Sequence, residues 1–126
     1  MLGYVIVFVG AGIGGSIRHG FNIGVARLLG TAFPYNTLVI NILGSFVMGV
    51  IAGWFALKGN ATGHVRLFLA TGVMGGFTTF SAFSLDTILL WERGNQGLAT
   101  VYVLASVFGA LAGLALALWL VRTALA

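Results

Sequence analysis

The chain has no cysteine, one proline, two acidic residues and only 6% charged residues among its 126. Without cysteine there are no disulfides, no thiol catalysis and no zinc–thiolate site. So little charge is far below the roughly 25% of ordinary globular chains and leaves too few polar groups to clothe a water-facing domain. Asp86 and Glu92 are the only acids, and with no nucleophile motif and no cluster of metal-ligating side chains the sequence offers no enzyme chemistry. The net charge is +4, from six Lys and Arg residues that are scattered rather than clustered, so nucleic acid is not the expected partner.

What is there is hydrophobic: 60% of the residues. Crossing the hydrocarbon takes about 20 mostly apolar residues in a helix. Four stretches meet that length, at about 2–28, 36–57, 65–91 and 98–121. The expected fold is one all-α integral membrane domain of four transmembrane helices. No Lys or Arg precedes the first apolar run and no small-residue cleavage pattern follows it, so that run is expected to be a retained span. The connections TAFPYN, KGNATGH and ERGNQG hold the turn formers, Pro34 among them. Asn60-Ala61-Thr62 also matches a glycosylation acceptor, a weak three-residue pattern.

With four spans both ends of the chain lie on one side. Lys58, Arg66 and Arg122 then fall near that side, and Arg18, Arg27 and Arg93 near the other. Orientation follows an excess of Lys and Arg on the cytoplasmic side, and here there is none. The balance permits insertion both ways up, and so an antiparallel pair of copies; the alternative is a small bias hidden in the span ends. Small residues recur every fourth position: Thr37, Asn41, Ser45, Gly49 and Gly53; Ala105, Gly109 and Gly113; Gly10 with Gly14 and Ala11 with Gly15. Such stripes let helices approach closely in lipid, where apolar surface alone drives little association. They point to a tightly packed bundle and to dimerisation.

Polar residues inside spans are the candidates for function. His19 and His64 lie near span ends and read as interfacial side chains. Asn41 is the one amide well inside a span, either glue between helices or a donor facing a solvated cavity. Arg18 either reaches to the interface or draws anions to a vestibule. Asp86 reads as an interfacial carboxylate paired with an arginine, in preference to a proton-coupling acid, because it lies only five residues from the span end at Trp91. The third span contains GGFTTFSAFS, residues 75–84. Paired glycines weaken a helix, and Thr78, Thr79, Ser81 and Ser84 follow at once. One reading is a continuous helix whose hydroxyls bond back to its own carbonyls. The other is a helix broken near its middle, tolerated only where the backbone is buried in protein or lines a cavity. Such a break frees carbonyl oxygens for a hard cation. Phe80 and Phe83, three apart, share a helical face, and their positive ring edges suit an anion.

GAGIGGSIRH, NTLVINILGSF and GVMGGFTTFSAFS, in this order and over nearly the whole length, resemble the Fluc (CrcB) fluoride channels of bacteria. The resemblance implies a dual-topology antiparallel homodimer in the bacterial inner membrane. It further implies two passive, selective pathways that export fluoride and so relieve its toxicity. Carried over by motif, Asn41 contacts the anion, Phe80 and Phe83 supply ring edges, Thr79, Ser81 and Ser84 match polar positions, and Arg18 lies near the vestibule. Gly75 and Thr78 give backbone carbonyls to a structural sodium ion (Na+) shared by both subunits. The chain departs from the pattern at Ala82, where many members have threonine, and at Asp86, where glutamate is frequent. Its fourth-span run FGALAGLALA lacks the usual serine and threonine, with Tyr102 and Ser106 the polar candidates in their place. Two other readings remain. A small proton-coupled multidrug transporter needs a carboxylate deep in the bundle. A purely structural membrane subunit accounts for the stripes but not for GGFTTFS with Asn41.

Overall fold

A computed structural model describes residues 1–59 and 63–125; the glycosylation-like triplet 60–62 lies outside the described residues. The chain forms α1 (Leu2–Leu29), α2 (Tyr35–Lys58), a third span over Gly63–Glu92 and α6 (Gln96–Leu125). The third span is composite. It runs as α3 (Gly63–Arg66), a π-helical stretch Leu67–Met74, α4 (Gly75–Phe77) and α5 (Phe80–Glu92). All four spans are long and apolar enough to cross a membrane, so this is a four-span, all-helical membrane protein. The helices run past the apolar limits of the sequence because Lys58, Glu92, Gln96 and Arg122 continue the backbone hydrogen bonding. Gly59 closes α2 in the left-handed conformation, its N–H donating to the Phe55 carbonyl, a geometry that a Cβ disfavours. Pro34 stands just before α2, where its missing N–H costs no helical bond.

The small-residue stripes are spent inside the chain. Gly10 of α1 lies against Gly72, where a Cβ would meet the Gly72 Cα at 2.9 Å, and a Cβ at Gly14 would overlap the Val73 carbonyl. On α2, a Cβ at Gly49 would reach the Leu114 carbonyl at 2.7 Å, and Gly53 faces Val121. Gly109 and Gly113 of α6 face Ile42 in return. The glycines thus account for the packing of α1 on the third span and of α2 on α6 within the chain.

Two small apolar clusters flank the middle of the bundle. One gathers Ile40, Met74 and Phe77, with Phe21 edge-on to Phe77 at 5.4 Å. The other gathers Leu90, Ala99 and Tyr102, with Phe33 and Phe83 packed on it. Residues Thr78 and Thr79 lie in sequence between the elements that build these clusters, and α2 passes alongside both.

Candidate functional site

At the junction of α4 and α5 the backbone leaves helical geometry for two residues. Thr78 has ψ 159° and Thr79 has φ −152° and ψ 124°. The Thr78 N–H still donates to the Met74 carbonyl at 3.0 Å, the last bond of the helical series. A continued helix would next send the Thr79 N–H to Gly75 and the Ala82 N–H to Thr78. Both donors are diverted. The Thr79 N–H donates to Asn41 Oδ1 at 2.9 Å, and the Ala82 N–H donates to Thr79 Oγ1 at 3.1 Å, capping α5. The carbonyls of Gly75 and Thr78 are thereby relieved of their helical donors.

Asn41 holds this junction with both ends of its amide. Its Nδ2 donates to the Thr79 carbonyl at 2.9 Å while its Oδ1 accepts from the Thr79 N–H. The pairing fixes the orientation of the amide, since the reverse would set N–H against N–H. An amide nitrogen carries two protons, so this arrangement leaves one more available. Asn41, Ser45, Thr79, Phe80, Phe83 and Ser106 line a cleft of about 380 Å³, and no charged side chain is among its described lining residues. The rings of Phe80 and Phe83 lie 5.4 Å apart, tilted at 49°. Ser106 is buried, and its Oγ has no hydrogen-bond partner. One spare amide proton, two aromatic rings whose edges carry partial positive charge and a free hydroxyl are weak, neutral groups, a set able to hold an anion without protonating it or binding it tightly.

A second cavity, of about 560 Å³, takes up the end of the bundle where α1 finishes and α2 begins. Arg18, His19, Asn22, Asn36, Thr37, Ser81 and Asp86 line it, and Thr79 lines both cavities. Asn36 Nδ2 donates to Asn22 Oδ1 at 3.0 Å, tying α2 to α1 at this mouth. Asp86 does not take an arginine partner here; its Oδ2 accepts from the Tyr102 hydroxyl at 3.1 Å. Tyr102 is fully buried, with its ring 5.2 Å from that of Phe83. The second cavity thus carries a guanidinium and a carboxylate, the latter held by a buried phenol, and meets the apolar cleft at Thr79.

The remaining hydroxyls of the GGFTTFSAFS stretch divide between the two readings of the sequence. Thr78 Oγ1 and Ser84 Oγ bond back to the Met74 and Phe80 carbonyls at 3.0 and 2.9 Å. Thr79 Oγ1 and Ser81 Oγ lie 3.2 Å apart at the start of α5. Phe80 is 77% exposed and Gly75 is also exposed, so both stand on the outer face of the chain. Among the described residues no three His, Asp or Glu side chains are grouped to hold a metal; the oxygen donors near Gly75 and Thr78 are backbone carbonyls. Sequence reasoning missed Gly44, buried against Thr78, and the Asn22–Asn36 bridge. Gly44 lies between the stripe positions Asn41 and Ser45, and the two asparagines sit on different helices without a shared motif.

A family model described as CrcB-like protein, Camphor Resistance (CrcB), matches residues 5–118. The chain is 60% identical over 119 residues to the fluoride-specific ion channel FluC of Rhodopseudomonas palustris (strain BisB5), covering 94% of this chain and 96% of that one. It is 56% identical over 123 residues to the protein of the same name from Granulibacter bethesdensis, covering 98% and 97%. It is 54% identical over 121 residues to the fluoride-specific ion channel FluC 2 of Nitrobacter hamburgensis, covering 96% and 98%.

Proposed function

The chain belongs to the CrcB family, and from that premise we propose that it is a fluoride-selective ion channel of the bacterial inner membrane. It lets fluoride leave the cell passively and so relieves its toxicity. The observation that carries the reading is Asn41 clamped on Thr79 beside a cleft whose polar groups are neutral donors. Fluoride is costly to dehydrate, so a pathway must replace part of its shell without trapping it. The spare Asn41 proton, the edges of Phe80 and Phe83 and the Ser106 hydroxyl are suited to that. Arg18 at the wide mouth raises the local concentration of anions. Thr79, which lines both cavities, links mouth to cleft, Ser81 stands beside it on the mouth side, and Ser84 extends the polar side of α5.

The working unit in this reading is a dual-topology antiparallel homodimer, with the third span broken at Thr78–Thr79 in each subunit. The even split of Lys and Arg supports it, as does the outward position of Gly75 and Phe80, which gives a second copy something to complete. The freed carbonyls of Gly75 and Thr78 fit a hard cation such as sodium, which takes oxygen ligands where a membrane helix unwinds. Bound there, such an ion would supply fixed positive charge; the chain's own part is to leave both carbonyls without their helical donors and, at Thr78, to turn the peptide out of the helical direction.

Purified protein in liposomes tests the reading. A fluoride gradient discharges passively and far faster than a chloride gradient, with no proton gradient required. Transport of cationic drugs against a proton gradient, or no flux of any kind, overturns it in favour of an antiporter or a structural subunit.

A further inference from the structure

The clamp on the third span has a second jaw. Gly44 lies three residues after Asn41 on α2, which puts both on one face of that helix. It is buried, and a Cβ built on it would overlap Thr78 Cγ2 and come within 3.2 Å of Phe77 Cδ2. Asn41 fixes the backbone of Thr79, and Gly44 leaves the hollow in which the Thr78 methyl sits. The Thr78 hydroxyl donates to the Met74 carbonyl at 3.0 Å. With its methyl seated and its hydroxyl bonded, the Thr78 side chain has one rotamer, and the peptide that follows is held by Asn41.

We propose that Gly44 is a positioning residue for the third span: the missing side chain seats the Thr78 methyl and so sets the direction of the Thr78 carbonyl. The inference rests on the reading of that carbonyl as a cation ligand, and it predicts that a methyl group at Gly44, which with Thr78 lines the wall of the same cleft, disturbs cation binding while removing none of the cleft's hydrogen-bond donors. Steric overlap, rather than lost hydrogen bonding, is the cause. It is therefore reversible by removing the opposing methyl.

The test uses full-length protein purified in detergent and in liposomes, with sodium as the probe and N-methylglucamine as the replacement cation. Wild-type protein shows a rise in thermal midpoint with sodium and sodium-supported fluoride flux; failure here removes the cation reading itself. Given that behaviour, Gly44→Ala needs about tenfold more sodium for the same thermal shift, the scale of a typical overpacking penalty. Gly44→Ala combined with Thr78→Ser, which deletes Cγ2 but keeps the hydroxyl that reaches Met74, regains the sodium response of Thr78→Ser alone. A wild-type sodium response in Gly44→Ala overturns the proposal. So does a Gly44→Ala protein, folded or not, whose defect the second substitution leaves unrepaired.

Discussion

The two halves of the third span are held by different physical means. Its N-terminal half, Leu67–Phe77, is pressed on α1 with backbone against backbone: Gly10 on Gly72, Gly14 on Val73, Gly76 on Ala11. Its C-terminal half, α5, is held by side chains: Asn41 on Thr79, Tyr102 on Asp86, and the Phe83 ring on the Tyr102 ring. The first mode uses no polar side chains and has no tolerance for added volume. The second combines polar side chains with aromatic contacts and leaves cavities on both sides. In lipid, where apolar association is weak, close packing makes a rigid wall. Hydrogen-bonding side chains can then hold irregular backbone against that wall and leave room for an ion to pass.

The largest effect should come from breaking the tight half. Gly14→Ala sets a Cβ into the Val73 carbonyl, with backbone on both sides and nothing flexible to yield. The expected cost is about 3 kcal/mol, the upper part of the overpacking range. It should show as loss of folded, detergent-stable protein. Gly12→Ala, where a Cβ meets nothing within 4 Å of this chain, is the matched comparison. Equal stability of the two variants would remove the distinction between the halves.

Next comes the polar clamp. Asn41→Asp keeps an acceptor for the Thr79 N–H but sets a second carboxylate oxygen against the Thr79 carbonyl and adds negative charge to the cleft. Fluoride flux should fall to near background, with a stability loss of about 1–3 kcal/mol for the unmade bond. Flux in liposomes and unfolding of the same preparation separate the two effects.

Much of this was open to the sequence, and the missing parts have identifiable causes. Four spans follow from apolar length alone. The glycine pair at 75–76 marks a weak point, yet the backbone departs from the helix only at Thr78. Gly76 is needed where it is, against Ala11, and the capture of Thr79 comes from Asn41, 38 residues away. A contact of that range between spans leaves no local pattern. The stripes were visible, but their partners were not, because a glycine on a helix face reads the same whether it meets a neighbour in the chain or a second copy. Asp86 shows the same gap: a lone carboxylate near a span end suggests an arginine, while the actual donor, Tyr102, stands on the next helix, 16 residues away, with no motif joining the two.

Phe80 sharpens the comparison from the opposite direction, because it stands 77% exposed on the outer face of the loosely held half. Phe80→Ile should leave the stability of the subunit within about 0.5 kcal/mol, as for surface positions in general. It should still slow fluoride flux several-fold, the loss of an aromatic edge being worth on the order of 1 kcal/mol. Unchanged flux would take the ring out of the pathway and leave it a lipid-facing residue.

The smallest effect belongs to the Tyr102 hydroxyl. Tyr102→Phe keeps the ring that packs on Phe83 and Phe33 and removes the hydroxyl, which bonds Asp86 and also meets the Thr37 side chain. One such bond is worth about 1 kcal/mol, and Asp86, beside the wide cavity, can turn to water instead of remaining unsatisfied. The fold should therefore survive nearly intact, while the carboxylate is free to swing toward the mouth and oppose an incoming anion. A modest drop in flux that grows at low salt, where charges at the mouth are least screened, is the expected result. A drop that is the same at every ionic strength would place the role of Tyr102 in packing α5 on α6, and the side-chain-held half would then owe less to its polar contacts than its geometry suggests.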